Sequence, residues 1–228
     1  FSSTWAHELK DHNNMPKETT NALLDYTLEN VTNLDYVYLA GGEPLMMKEN
    51  EIFLAELANK NPECEVLVNS NISLIGKTKI YESLLKLKNV RWLVSMETMG
   101  DQFEYVRYPA NWQTTRENLL QLKHDFGPKA ITFGMVYGNF NALSIWDTID
   151  WVLENGFLPN NISIQIVNHG ARGHQDIYLL SREYLDMCLE RIQSKIDVYN
   201  DIYRIQDTIK YLETIPLDRA DSKADDTL

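Results

Sequence analysis

Gly41-Gly42-Glu43-Pro44-Leu45 is the segment whose residue types and order most directly suggest chemistry. It follows Tyr36-Val37-Tyr38-Leu39-Ala40, a short apolar and aromatic run that reads as a buried strand. Two successive glycines let a backbone turn tightly and bring its polar groups close to a ligand. Glu43 and the carbonyls beside it can accept hydrogen bonds from a ligand ammonium group. A plain strand-to-loop turn, with Gly and Pro as breakers, accounts for the same residues equally well. The theme recurs after later apolar runs, in Asn69-Ser70-Asn71-Ile72-Ser73, Ser95-Met96-Glu97-Thr98 and Gly138-Asn139. Hydroxyls, amides and a carboxylate can read ribose and amino-acid groups, although each residue can also cap the helix that follows. Four successive strand ends of this kind favour a binding site. Arg107, in Glu104-Tyr105-Val106-Arg107-Tyr108 ahead of Trp112, can clamp a carboxylate through two parallel hydrogen bonds; stacking on a neighbouring tyrosine at the surface is the alternative.

Alternating strands and helices must position these residues. Apolar runs at 36–40, 66–68, 90–94, 131–137 and 162–167 predict five strands. Between them, helical spacing unites Phe53, Leu54 and Leu57, then Ile80, Leu84 and Leu87, then Leu119, Leu122 and Phe126, then Leu143, Trp146, Ile149 and Val152. A first helix carries Leu24, Leu28 and Val31. Gly127-Pro128 and Gly156 are helix stops. Continuous apolar strands with helical crossovers predict a parallel α/β sheet. Periodicity does not choose between a barrel and a doubly wound sheet. The alternation ends after His169. Leu185, Leu189, Ile192, Ile196 and Tyr199 then predict a helical region over 171–215, with Ser181 as its cap. A charged tail, 216–228, carries few apolar residues.

Composition narrows the function. The 228 residues are 44% apolar and 24% charged, the balance of a globular domain. A net charge of −12 repels a phosphate backbone on average, so nucleic acid is not expected as a direct partner, a local basic pocket aside. No apolar run reaches the length of a membrane span, and no signal peptide is read at the start. Phe1 in place of Met suggests a cut or processed chain. Cys64 and Cys188 lack metal-ligand spacing and read as reduced, buried thiols in the cytoplasm. His169 and His174 flank a Gly-rich loop but lack a third ligand, and His7 and His12 are weaker candidates still. No metal site is expected.

The ordered series of segments resembles the radical S-adenosylmethionine (SAM) superfamily, in particular its twitch-type members. Tyr38 to Leu45 resembles the GGEP motif at the end of the family's second strand. Asn69 to Ser73 resembles the third-strand asparagine segment, and Val94-Ser95-Met96-Glu97 the fourth-strand Ser-x-Asp segment with Glu for Asp. Glu104 to Tyr108 with Trp112 is similar to the next family stretch, and Asn139 to a fifth-strand asparagine. The resemblance spans about residues 1–170 and implies a partial (β/α)6 TIM-like barrel lacking its first strand, with a C-terminal helical extension. It also implies that Gly41, Gly42, Glu43 and Pro44 hold the SAM amino group through their backbone. Ser70 and Asn71 fall in the same cofactor-binding set, Ser95 and Glu97 lie near the ribose and methionine portions, Arg107 near the carboxylate, and Asn139 completes the set.

In the family a 4Fe–4S cluster on CxxxCxxC reduces SAM, and the resulting 5′-deoxyadenosyl radical abstracts hydrogen. No CxxxCxxC occurs here, and two cysteines cannot replace three thiolates. The resemblance therefore implies a fragment of an enzyme acting on a peptide or small molecule, inactive alone, with its cluster in the intact parent. An exposed strand edge would invite a homodimer. Two alternatives stand beside this reading. One is a cluster-free relative that binds a nucleotide-like ligand or a protein; the other is an unrelated α/β enzyme using Glu43 and Glu97 as acid and base.

Overall fold

The computed structural model describes residues 17–76, 78–167 and 175–215. After the first helix, α1 (Lys17–Glu29), the chain alternates as its hydrophobic periods predict. Strand β1 (Tyr36–Leu39) precedes helix α2 (Lys48–Lys60), and β2 (Glu65–Ser70) precedes α3 (Lys79–Leu84). Next come β3 (Asn89–Ser95), two helices, α4 (Gly100–Val106) and α5 (Trp112–Phe126), then β4 (Ile131–Tyr137), α6 (Ser144–Glu154) and β5 (Ile162–Ile166). Helices α7 (Arg182–Gln193), α8 (Ile196–Tyr199) and α9 (Ile205–Thr214) complete the described chain.

The sheet order is β1-β2-β3-β4-β5, and β1–β2, β2–β3 and β4–β5 pair in parallel. This is the α/β class expected from the sequence. Sequential order is the winding of a barrel-type βα series, whereas a doubly wound sheet reverses its order at a switch point. The order thus settles the choice that periodicity leaves open.

Two compact units make up the chain, each discontinuous in sequence. The first holds the described residues up to Val94 together with Arg107–Ile131. Its parallel register aligns Leu39 with Val68 and Val68 with Trp92, so these buried side chains share one face of the sheet. Buried Leu54 and Leu57 of α2, Leu84 of α3 and Leu119 and Leu122 of α5 supply the helical part of this core. Phe126 meets Trp92 and Tyr81 edge-on, at ring separations of 5.5 and 5.8 Å. Local chemistry sets the helix starts. Thr78 Oγ1 accepts from the Tyr81 amide at the head of α3, and Asn111 Oδ1 from the Thr114 amide at the head of α5. Asn61, just after α2, donates to the carbonyls of Val31 and Leu34 and so fixes the approach to β1.

The second unit holds Ser95–Val106 and the described residues from Thr132 onward. Phe133, Met135 and Tyr137 align with Ile162, Ile164 and Ile166. Trp146 of α6 packs between Tyr137 and Tyr199, at 5.4 and 5.7 Å. Tyr203 extends the sheet beyond β5, donating its amide to Ile162 and accepting from Ile164. At the other end of the order no described residue pairs with the outer edge of β1, where Tyr36 and Tyr38 are about half exposed.

Three local features differ from the sequence reading. Helix α4 was not anticipated; its seven residues bury only Phe103, too little to create a period. Ser181 occupies the cap position of α7 but makes no side-chain capping bond. Leu87 lies beyond the end of α3 yet is buried, by a turn rather than by the helix.

Candidate functional site

The carboxyl ends of β1 and β2 meet through one side chain. Glu43 Oε1 accepts from Ser70 Oγ at 2.7 Å and from the Leu45 amide at 3.3 Å, while Oε2 accepts from the Asn71 amide at 3.0 Å. Ser70 is buried and in turn accepts from the Ile72 amide at 2.8 Å. A hydrogen-bonded relay therefore runs from Ile72 through Ser70 to Glu43, and its members polarise one another. A carboxylate offers about four lone-pair directions, and three are already occupied. Glu43 is thereby a brace between two loops, and the backbone beside it is that of Gly41 and Gly42.

That backbone is open. Gly41 and Gly42 have φ of +88° and +55°, and nothing lies within 4 Å of where a Cβ would stand on either. An L side chain would strain at both positions and would fill the approach. Pro44 is buried, and its carbonyl accepts from Asn50 of α2 at 2.9 Å, so the loop is held from behind as well.

The next strand ends lie in the second unit. Ser95 closes β3 and is half-buried, and Glu97 is 1% exposed. Asn139 starts a short 3-10 turn after β4. Sequence reasoning missed the residue that joins these segments. Asn141 is buried, donates to the carbonyls of Val136 and Glu97 at 2.9 and 3.3 Å, and accepts from the Gly138 amide at 2.9 Å. The Gly-x-x-Asn spacing was its only trace in the sequence. Gly138 itself is required by contact, since a Cβ there would stand 2.6 Å from the Gln175 carbonyl oxygen. Arg107 follows α4, belongs to the first unit and is half-buried.

The structure thus brings Gly41, Gly42, Glu43, Pro44, Ser70 and Asn71 together in one unit. In the other, Asn141 ties the segment carrying Ser95 and Glu97 to the end of β4. A cavity of about 240 Å³ in the second unit, lined by Ile164, Ile166, Arg204, Asp207, Thr208 and Tyr211, contains none of the sequence candidates. His7, His12, His169 and His174 lie outside the described residues. Among the described residues no group of three or more His, Cys, Asp or Glu is placed to hold a metal ion. Cys64 and Cys188 are free and buried. Burial, followed by the charges of Asp35 and Glu65, pushes the Cys64 thiol up; burial does the same to Cys188 against a hydrogen bond with Tyr137. Both shifts disfavour the thiolate that a metal requires. No described helix is long and apolar enough to cross a membrane.

No protein-family model and no curated protein matches the sequence. Among solved structures the chain is similar to Streptococcus suis SuiB, crystallised with S-adenosylmethionine, at 17% identity and a TM-score of 0.47. The match covers 71% of this chain and spans 35% of the length of SuiB.

Proposed function

We propose that this chain is the SAM-binding part of a radical SAM enzyme whose cluster-bearing residues lie elsewhere in the parent protein. The observation that carries the reading is the occupied Glu43 carboxylate beside an unobstructed Gly41-Gly42 backbone. The loop is braced through Glu43 and Pro44, and main-chain carbonyls beside the open Gly41-Gly42 approach suit an ammonium group. The ordered motif series from Tyr38 to Asn139 supports the same ligand. Ser95, Glu97, Arg107 and Asn139 are the further residues proposed for the ribose, methionine and carboxylate portions.

When bound together, SAM and a reduced 4Fe–4S cluster supply a 5′-deoxyadenosyl radical for hydrogen abstraction. The residues of this chain fit SAM but not the cluster, because they include two cysteines, both buried. The chain's own part is to bind and orient SAM. Its substrate is a peptide or small molecule, its compartment the cytoplasm, and the β1 edge, unpaired among the described residues, is its proposed contact with a second copy. Glu43 is poorly suited to acid–base work, since three donors already occupy its two oxygens.

Calorimetric titration of the chain with SAM tests the proposal, against Gly41→Val. Binding by the wild type that weakens at least about tenfold in the variant, or about 1.4 kcal/mol, is the expected result. Equal affinities would remove the Gly41-Gly42 backbone from the site. Absence of SAM binding both here and in a longer parent chain that carries three cluster cysteines would end the radical SAM reading.

A further inference from the structure

Ile72 has φ of +54° and a side chain that is 0% exposed. A β-branched residue in the left-handed region is a genuine outlier and persists only where its surroundings over-determine it. Here they do. The Ile72 amide is held by Ser70 Oγ, and its carbonyl accepts from Asn118 Nδ2 at 2.7 Å, from α5 and 46 residues along the chain. On the other side of the turn Glu43 holds the Asn71 amide. Asn71 Oδ1 accepts from the Ser73 amide at 3.0 Å, which fixes the orientation of the carboxamide. Its Nδ2 meets no acceptor among the described residues, and the side chain is exposed. The strained turn therefore displays one amide, donor outward, at the carboxyl end of β2.

We propose that Asn118 is a positioning residue for the candidate site, locking the Ser70–Ser73 turn so that Asn71 Nδ2 donates to an acceptor oxygen of the ligand. The ligand's identity as SAM rests on the proposed function, where the acceptor is a carboxylate or ribose oxygen; the lock itself does not. A donor fixed in this way discriminates by charge, favouring an oxygen and rejecting the ammonium end that the Gly41-Gly42 carbonyls suit.

Amide hydrogen exchange by NMR on the ligand-free 228-residue chain tests the lock. Asn118→Asp keeps the size of the side chain and removes the donor; Asn118→Ala carries the same test should the first variant fail to fold. Exchange at Asn71, Ile72 and Ser73 should accelerate at least about tenfold, the effect of losing roughly one hydrogen bond, while Val66 and Val68 stay within about twofold. No acceleration, or equal acceleration at all five amides, would overturn the positioning role. Calorimetry with SAM tests the donor through Asn71→Asp, which retains the acceptor for Ser73. Affinity should fall at least about tenfold with exchange at the turn unchanged, and undiminished affinity would overturn the donor assignment. Should the 228-residue chain bind no SAM, the same comparison is made in the longer parent; no binding in either overturns the ligand and the donor assignment with it, whereas the exchange pattern decides the lock by itself.

Discussion

Glu43 is the residue on which the candidate site turns. Its two carboxylate oxygens hold a hydroxyl and two amides, and the hydroxyl belongs to buried Ser70. Hydrogen bonds to a charged group contribute more than neutral ones, and a buried donor left without a partner adds its own desolvation penalty. Glu43→Gln leaves one oxygen to accept and turns an NH2 group toward another donor. We expect a loss of about 2 kcal/mol, read as a lower midpoint in urea at unchanged slope. The same substitution at Glu213, exposed on α9, should change stability by no more than about 0.5 kcal/mol. Gly41 and Gly42 were legible from the sequence as a turn after a strand, with a binding loop and a plain breaker equally open. The brace was not, because pairing Glu43 with Ser70 spans 27 residues and depends on the parallel register of β1 and β2.

At the scale of elements, the helices that carry no candidate residue still decide where the site lies. Tyr81 of α3 donates to Asp125 of α5 at 2.6 Å, tying together two helices whose Tyr81 and Phe126 rings both meet Trp92 of β3. Burial raises the Asp125 pKa, but hydrogen bonds from Gln121, Tyr81 and His124 outweigh it and hold the carboxyl below its ordinary range. Burial, then the Asp125 hydrogen bond and charge, pushes the Tyr81 phenol up. A carboxyl whose folded pKa is depressed contributes stability that is present above its unfolded value and is lost as pH falls through the folded one. Stability should therefore decline below about pH 4, the unfolded value of an aspartate. Asp125→Asn should flatten part of that acid limb in urea titrations repeated across pH. Tyr81→Phe should cost about 1 kcal/mol at neutral pH and shift the remaining acid dependence toward higher pH, since Asp125 loses one of the bonds that depress it.

For the whole molecule, the decisive inventory is thiolates. A 4Fe–4S cluster on a SAM site takes three cysteines from the protein, and this chain has two, both buried and both with raised thiol pKa values. Cys64 also precedes the first residue of β2, at the end of the strand opposite Ser70. Anaerobic incubation with iron and sulfide should leave the purified chain without cluster absorbance near the visible charge-transfer bands and with iron well below stoichiometric. Stoichiometric, SAM-responsive iron would show that other side chains ligate it and would revise the site. The net charge of −12 acts at the same scale. It opposes association with polyanions, and an anionic ligand must find its compensating groups locally.

The sequence by itself determined the class of fold. Continuous apolar strands cannot be satisfied at a protein surface, and helical periods between them require crossovers, so Val66 to Val68, Val90 to Val94 and Ile131 to Tyr137 were committed to a parallel α/β sheet before any contact was known. It also marked Gly41 and Gly42, since few residues tolerate φ of +88° and +55°. Tertiary structure decided what those residues mean. It chose the sequential strand order, made Glu43 a brace between two loops, and brought Asn141 and Asn118 to carbonyls on distant segments. Each of these depends on hydrogen bonds between residues far apart in sequence. A period or a local motif reports only on neighbours along the chain, whereas such partners are set by register and packing.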